Sequence, residues 1–309
     1  MNSTSVAIVG FGKIARDQHV PALRDNAAFT LDAVASRNAS LEGVAHFRDI
    51  QTLLDERPDI QAISLCAPPQ VRYRQARAAI AAGKHVMLEK PPGATLSEVE
   101  DLRAQAERAG VTLFATWHSR YAAGVAQARE WLSERRVRSV NVQWKEDVRR
   151  WHPGQEWIWE AGGLGVFDPG INALSIITAI LPEPFFLTQG ELEVPANRQG
   201  PIAATLAFRD AHDADIRAEF DWRQTGPQTW DIYIETDAGP LSLTQGGSRL
   251  TIGDEVLLEG GDVEYPGLYA RFAELIANGE SDVDVAPLRH VADAFLLGQR
   301  VSVSAFHDD

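Results

Sequence analysis

The 309-residue sequence contains a single cysteine, Cys66, so the chain cannot form an intramolecular disulfide. A protein without disulfides is typical of a reducing compartment. The sequence also lacks any segment close to the roughly 18 consecutive apolar residues that indicate a membrane span. Its first residues contain no basic region followed by a long apolar stretch, so we expect no secretory signal and a cytoplasmic protein.

Basic residues are scarce, with 29 Lys and Arg against 43 Asp and Glu, which gives a formal net charge of -14. Such a chain lacks the excess of positive charge that binds a phosphate backbone, which argues against a nucleic-acid or membrane-surface partner. Metal-ligand patterns are absent as well. The eight histidines include no H-x-x-x-H pair, and one cysteine cannot form a thiolate cluster, so we expect no metal site.

The first part of the chain alternates short apolar runs with helical segments. The apolar runs cover residues 5–10, 29–36, 59–66, 85–89 and 111–116. One of the helical segments opens with a capping-box pattern, Thr95 and Glu98. Buried strands that alternate with helices favour parallel pairing, so the pattern predicts an α/β fold with a doubly wound Rossmann sheet.

The pattern changes after about residue 120. Extended runs occur at 137–148, 202–208, 215–222 and 229–236, and helical periodicity occurs at 167–180, 266–279 and 287–301. Alternating runs separated by glycine turns predict a large, mostly antiparallel sheet. We therefore predict an N-terminal Rossmann domain over residues 1–119 and a C-terminal α+β domain over residues 120–309.

A glycine motif, G-x-G-x-x-A over residues 10–15, lies between the first predicted strand and the following helix. The first glycine permits a tight turn, and the second lets a pyrophosphate approach the backbone at the helix N-terminus. A glycine turn without a ligand is the alternative, but the strand–turn–helix context favours dinucleotide binding. The candidate cofactor residues in this motif are Gly10, Phe11, Gly12, Lys13 and Ile14.

The end of the second predicted strand bears on the choice of cofactor. NAD-preferring sites usually carry Asp or Glu there, whereas this chain carries Ser36 and Arg37. Arg37 can pair with a 2′-phosphate and Ser36 can donate a hydrogen bond to it. Asp32 lies too early in the strand to reach the ribose. We expect NADP as the preferred cofactor and NAD as a tolerated one; the alternative is that Arg37 is a solvated loop residue.

Three separated motifs resemble one enzyme family. Glu89-Lys90-Pro91 follows the fourth apolar run, at the sheet edge where ligands collect, and resembles the E-K-P signature of the Gfo/Idh/MocA family (glucose–fructose oxidoreductase and inositol dehydrogenase). The glycine motif with residues 19–23, HVPAL, is similar to the first βα unit of that family, and residues 162–172 are similar to its G-G-x-x-x-D-x-G-x-H segment. The other candidate cofactor contacts, at the ends of the third and fourth runs, are Cys66, Ala67, Pro68, Glu89 and Lys90.

The resemblance implies catalytic roles for Lys90 and Asp168. Asn172 stands where histidine is commonest in the family, and an amide cannot act as a general base near neutral pH. Asp168 and Asn172 share one helix face, so we assign Asp168 as the proton acceptor and Asn172 as a residue that orients a hydroxyl. Lys90 would donate to a sugar oxygen. Two alternatives stay open: Lys90 is the base if burial lowers its pKa, or Asp168 is only a helix N-cap.

The substrate is inferred from Asn172, the short chain and the tryptophan-rich residues 151–159, which resemble the aldose 1-dehydrogenase branch of the family. This branch implies oxidation of L-arabinose, and of D-galactose, at C1 to the lactone. Aromatic faces can pack on the C–H surface of a sugar while polar groups bind its hydroxyls. The remaining substrate candidates are His118, Glu146, Trp151, His152 and Trp230; for each tryptophan the alternative is core packing.

Two other functions are compatible with these motifs. The first is a related dehydrogenase that acts on an inositol or a dihydrodiol. The second is a non-catalytic regulator that senses NADP, although the presence of Lys90 and Asp168 argues against it. The resemblance also implies a small-molecule sugar substrate and a homodimer formed through the C-terminal sheet.

Overall fold

A computed structural model describes residues 3–308, which divide into two units. The N-terminal unit contains the chain up to residue 118 together with residues 265–285, and the C-terminal unit contains residues 119–264 and the chain from residue 286. The two continuous domains predicted from the sequence, 1–119 and 120–309, therefore differ from the observed division. The difference is the segment 265–285, which belongs with the N-terminal unit.

A six-stranded parallel sheet forms the centre of the N-terminal unit. Its strands are β1 (Thr4–Val9), β2 (Phe29–Ala35), β3 (Ala45–Phe47), β4 (Ala62–Leu65), β5 (His85–Leu88) and β6 (Leu113–Ala115), in the order β3-β2-β1-β4-β5-β6. Every neighbouring pair is parallel, which confirms the predicted doubly wound sheet. The central strands are buried on both faces, and this is why they appear in the sequence as continuous apolar runs.

The helices of this unit are α1 (Val20–Arg24), α2 (Ile50–Glu56), α3 (Pro69–Ala81) and α4 (Leu96–Ala109). The predicted start of α4 is confirmed, because the Thr95 side chain accepts a hydrogen bond from the Glu98 N–H. The helix ends at Gly110, whose φ of 65° is the left-handed conformation that favours glycine.

Helix α8 (Glu264–Asn278) explains why a distant segment joins the N-terminal unit. The Phe272 ring stacks on Phe29 and Phe114, with ring centroids 5.7 and 6.1 Å apart, and Tyr269 contacts Phe29 edge-on at 5.6 Å. All of these rings are buried. Aromatic contacts with strands β2 and β6 thus stabilise α8 against the N-terminal sheet.

A nine-stranded sheet forms the C-terminal unit. Its strands are β7 (Val137–Lys145), β8 (Phe185–Pro195), β9 (Ala203–Asp210), β10 (Asp215–Asp221), β11 (Thr229–Thr236), β12 (Gly239–Thr244), β13 (Arg249–Ile252), β14 (Glu255–Glu259) and β15 (Gln299–Val303). The order is β14-β13-β12-β11-β7-β10-β9-β8-β15. Only the β7–β10 and β8–β15 pairs are parallel, so the predicted mostly antiparallel sheet is confirmed.

The helices of the C-terminal unit are α5 (Val125–Leu132), α6 (Val148–Trp151), α7 (Phe167–Ile180) and α9 (Ala286–Leu297). Helix α7 is buried along most of its length, which suits an inner helix packed on the sheet. No helix within residues 3–308 is both long enough and apolar enough to cross a membrane.

One predicted helix is too long. Residues 287–301 were predicted to be helical, but α9 ends at Leu297 and the chain then forms β15 beside β8. The change occurs at Gly298, where a Cβ would lie 2.4 Å from the carbonyl oxygen of Ala294. Residues 301–303, Val-Ser-Val, have the alternation of a strand, and pairing with the sheet edge overrides the helical periodicity.

Candidate active site

The glycine turn follows β1 and packs against the end of β4. Gly10 has a φ of 88°, and a Cβ at this position would lie 2.5 Å from the backbone nitrogen of Ala67. The Gly10 N–H also donates to the carbonyl of Ala35 at the end of β2. Both the backbone conformation and the close approach therefore require glycine at position 10.

The other candidates in the turn have different surroundings. Phe11 is buried, and Lys13 pairs with Asp17 at 2.6 Å. Ile14 is exposed at the start of the helical segment. A Cβ at Gly12 would meet no protein atom within 4 Å. The tight turn at Gly10 and the open approach to Gly12 fit the diphosphate of a dinucleotide.

The helical segment after the turn contains a π-helical turn, residues 15–19, before α1 begins. The Val20 N–H donates to the carbonyl of Ala15, five residues back. Pro21 has no N–H to continue a regular hydrogen-bond ladder. The wider turn holds His19 fully buried, and single π-turns of this kind are frequent at functional sites.

The end of β2 carries the residues predicted to select the cofactor. Arg37 is exposed and makes no side-chain hydrogen bond or ion pair with any other residue of the described range 3–308. The carbonyl of Ser36 accepts a hydrogen bond of 2.9 Å from His46 Nε2. The Asp32 carboxylate accepts a hydrogen bond from the Ser5 hydroxyl within the sheet.

Hydrogen bonds from buried polar groups stabilise the turn that carries Lys90. The Arg72 guanidinium, 2% exposed, donates to the carbonyl oxygens of Glu89, Pro91 and Ala67. The Lys90 N–H donates to Glu89 Oε2 at 2.7 Å, and the Lys90–Pro91 peptide bond is cis. The Glu89 carboxylate, predicted as a cofactor contact, is inside the protein at 4% exposure. Both of its oxygens have hydrogen-bond partners within the protein, and its contact with a cofactor stays a prediction.

The other predicted residues of the N-terminal unit lie near the ends of strands. Cys66 is partly exposed after β4, Ala67 is buried against the glycine turn, and Pro68 is exposed at the start of α3. His118 follows β6 and stacks on the Tyr265 ring at 5.5 Å. Lys90 is partly exposed.

Asp168 lies on the first turn of α7, after a glycine-rich segment in which Gly163 and Gly165 leave no space for a Cβ. A Cβ at Gly163 would lie 2.2 Å from the carbonyl oxygen of Trp157, and Gly165 has a φ of 55°. The N-cap of α7 is Val166, without a side-chain cap. Asp168 is therefore not the N-cap, and its side chain is 4% exposed.

Five of the substrate and catalytic candidates form a cluster in the C-terminal unit. His152 Nε2 lies 3.5 Å from Asp168 Oδ2 and 3.8 Å from Glu146 Oε1. Trp230 Nε1 donates to Glu146 Oε2 at 3.0 Å, and its ring contacts Trp151 edge-on at 5.5 Å. Four different elements supply these side chains, at the end of β7, in and after α6, in α7 and in β11. We refer to these five residues as the carboxylate–tryptophan cluster.

Asn172 lies one helical turn beyond Asp168 and is partly buried. Two residues that contact the carboxylate–tryptophan cluster were not predicted from the sequence. The Trp222 ring is fully buried 5.4 Å from the His152 ring, and Gln228 Oε1 accepts a hydrogen bond of 3.3 Å from Trp151 Nε1. No motif marks these two residues, and only the pairing of β10 and β11 with β7 brings them close.

Known proteins resemble the chain in sequence and in structure. Residues 4–116 match the GFO_IDH_MocA model, described as an oxidoreductase family with an NAD-binding Rossmann fold. The whole chain is 47% identical over 308 residues to the full length of a galactose 1-dehydrogenase of Pseudomonas fluorescens.

Two solved structures match nearly the whole chain. The crystal structure of a D-galactose-1-dehydrogenase protein from Rhizobium etli has a TM-score of 0.95 and 59% identity, over 99% of each chain. KijD10, a 3-ketoreductase from Actinomadura kijaniata solved with NADP and TDP-benzene, has a TM-score of 0.85 over 98% of this chain and all of that one; at 19% identity the likeness is one of fold. The chain belongs to the Gfo/Idh/MocA oxidoreductase family.

Proposed function

We propose that this oxidoreductase is an NAD(P)-dependent aldose 1-dehydrogenase that oxidises D-galactose and L-arabinose at C1 to the lactone, with NADP as the preferred cofactor. The observation that carries the proposal is the carboxylate–tryptophan cluster, because it joins hydroxyl-binding groups to two aromatic rings. The 47% and 59% identities with proteins named galactose 1-dehydrogenases support the same substrate class.

Asp168 is the proposed base. A carboxylate is ionised at neutral pH, whereas a lysine must first lose a proton, so Asp168 is better suited than Lys90 to accept one. The O–H bond of the anomeric hydroxyl breaks and its proton passes to Asp168 while the C1=O bond of the lactone forms. A bound nicotinamide would supply the acceptor for the hydride that leaves C1. Because the Asp168 side chain is 4% exposed, few water molecules compete with the substrate for it.

The neighbours of Asp168 have positioning roles in this proposal. His152 lies between two carboxylates, so it limits the directions in which either can turn. Asn172 would orient a sugar hydroxyl, and Lys90 would donate to a sugar oxygen. The Trp151 and Trp230 rings would pack on the C–H face of the sugar, while the Glu146 carboxylate, held by Trp230, binds a hydroxyl.

A substrate panel tests the proposed activity. D-galactose and L-arabinose differ at the exocyclic carbon, so we expect their kcat/KM values to lie within about 100-fold of each other. Formation of reduced cofactor, measured by absorbance with NAD and NADP over aldoses and polyols, gives these values, and chromatography identifies the lactone. Turnover of myo-inositol without turnover of aldoses contradicts the proposal. Cofactor binding without oxidation of any sugar or polyol favours the regulator.

Arg37→Ala tests the NADP preference. The loss of charge-assisted hydrogen bonds to the 2′-phosphate is expected to raise the Kd for NADP by about 10- to 100-fold and to leave the Kd for NAD unchanged. Tryptophan fluorescence titration measures both constants. Arg24→Ala, which removes an exposed arginine at the end of α1 in the same unit, is the matched control and should change neither. Equal weakening of NADP and NAD by Arg37→Ala would rule out the 2′-phosphate role.

We also propose that two chains pair through the large sheet. One face of the sheet packs on helices, with Ile232 and Ile234 of β11 buried. The residues that alternate with them on the opposite face include the exposed Tyr233, and Phe186 of β8 is 57% exposed. An open sheet face with exposed aromatic side chains suits an isologous dimer contact.

A further inference from the structure

A buried polar network in the N-terminal unit has no part in the mechanism above. His19 is fully buried, and its two ring nitrogens have separate partners. Nε2 lies 3.1 Å from Glu89 Oε1, and Nδ1 lies 2.8 Å from the Tyr269 hydroxyl. Burying an imidazole and a carboxylate is costly unless each is well bonded. The position of this pair beside Lys90 therefore calls for a functional explanation.

The hydrogen bonds of the network constrain the protonation of His19. The Glu89 carboxylate only accepts, so Nε2 carries a hydrogen. At the far end, the Ser64 hydroxyl donates to the Met87 thioether and shares a second hydrogen bond of 3.0 Å with the Tyr269 hydroxyl. The Tyr269 hydroxyl in turn shares a hydrogen bond with His19 Nδ1. With Tyr269 as the acceptor, both ring nitrogens carry a hydrogen and His19 is an imidazolium.

The electrostatic surroundings favour the imidazolium form of His19. Burial opposes the charged form of His19, but the neighbouring Cys66, Tyr269 and Glu89 outweigh it and raise the pKa of His19 well above its usual value. Burial likewise opposes ionisation of Glu89, yet His19, the charge of His118 and the hydrogen bond from Tyr265 hold the pKa of Glu89 well below its usual range. The two groups are a charged pair at neutral pH.

Every contact of the Glu89 carboxylate in this network limits its freedom. The Tyr265 hydroxyl donates to Oε1 at 2.6 Å, beside the bond from His19. The other oxygen, Oε2, accepts from the Lys90 N–H at 2.7 Å. Because donors bind both oxygens, the plane of the Glu89 carboxylate is fixed. Through its bond to the Lys90 N–H, the carboxylate in turn holds the Lys90 backbone in place.

We propose that His19 and Tyr265 are positioning residues that act through Glu89 on Lys90. His19 belongs to the π-helical turn that directly follows the glycine motif. The charged pair thus connects the helical segment that follows the glycine motif to the turn that carries Lys90. The π-helical turn places the His19 imidazole in the interior of the unit. The expected effect on kcat rests on the role of Lys90 in the proposed function. The expected effect on the position of Lys90 does not.

Tyr265→Phe is the least disruptive test, because it keeps the ring that packs on His19 and His118. We expect kcat to fall by about ten-fold, the value of one charge-assisted hydrogen bond, with the Kd for NADP unchanged. Tyr73→Phe is the matched control: it removes a 2.7 Å hydrogen bond from a tyrosine hydroxyl to the Asp101 carboxylate in the same unit. It should leave kcat unchanged. Equal kcat values for the two variants would overturn the proposal.

A second readout does not depend on turnover. The rate at which an amine-reactive reagent labels Lys90, followed by peptide mass spectrometry, should rise in Tyr265→Phe because the Lys90 turn moves more freely. Labelling of Lys145, a partly exposed lysine of the other unit, should not change. If the wild-type chain oxidises no sugar, the proposed function fails while this measurement still tests the positioning. An unchanged rate at Lys90 would overturn it.

Two substitutions of His19 separate its two contacts. The amide nitrogen of His19→Gln can reach the position of Nε2 and donate to Glu89, whereas that of His19→Asn can reach only the position of Nδ1, towards Tyr269. We expect His19→Gln to stay closer to the wild type in kcat and in Lys90 labelling. Equal values in both variants would mean that His19 serves only to fill the core.

Discussion

Asp168→Asn is expected to lower kcat by about 10²- to 10⁴-fold, the usual contribution of a positioned general base. Asparagine keeps the size of the side chain and can still form a hydrogen bond to the sugar, but an amide cannot accept the anomeric proton. The KM for the sugar should change much less than kcat. The Kd for NADP should stay the same, because Asp168 belongs to the C-terminal unit and the glycine motif to the N-terminal one.

The control for this variant is Asp215→Asn. Asp215 begins β10 in the same unit, is 39% exposed and pairs with Arg209 and Arg217. The same chemical change there should leave kcat at the wild-type value. Near-normal turnover of Asp168→Asn would exclude Asp168 as the base and would leave Lys90 as the candidate.

Gly10→Ala has the second large expected effect, on stability. The substitution forces a φ of 88° on alanine and sets its Cβ 2.5 Å from the Ala67 nitrogen. Left-handed strain and overpacking each cost about 1 to 3 kcal/mol, so we expect the free energy of unfolding to fall by about 3 kcal/mol or more. Urea denaturation followed by circular dichroism measures this change.

Two other glycines serve as matched controls. Gly43 has a φ of 77° with no atom within 4 Å of its Cβ position, so Gly43→Ala should show the cost of the conformation alone. Gly12→Ala meets no protein atom either and should leave the protein stable. Its added methyl group should instead weaken NADP and NAD alike, because both share the diphosphate. If Gly10→Ala and Gly43→Ala cost the same, the close approach to Ala67 is unimportant.

Much of the fold could be predicted because local pattern and burial agree. Helix α7 and strand β11 have the bounds predicted from their periodicity. The three-residue strand β3 was missed because its residues Ala45 and His46 are exposed and give no apolar run. The end of α9 was wrong because pairing of β15 with β8, a contact distant in the chain, decides the conformation there. Such contacts are invisible to a periodicity argument.

The site was predictable where a motif fixes the residue. The segments around Gly10, Lys90 and Asp168 have such motifs. The other members of the carboxylate–tryptophan cluster were named only as separate substrate candidates, and their contact with a sugar stays a prediction. The network around His19 was not predicted, because its partners lie 70 and 250 residues away in the chain. Burial of His19 depends on the π-turn and on α8, neither of which the sequence motif reveals.

The return of α8 to the first sheet also affects how the protein is made. Phe29 and Phe114 find their partner Phe272 only after the ribosome has synthesised nearly the whole chain. Until residue 285 emerges, the nascent N-terminal unit lacks part of its core and exposes aromatic surface, the kind of surface that chaperones bind and that aggregates. The nucleotide-binding unit is the first to begin folding during translation, yet it cannot complete its core until synthesis is almost finished.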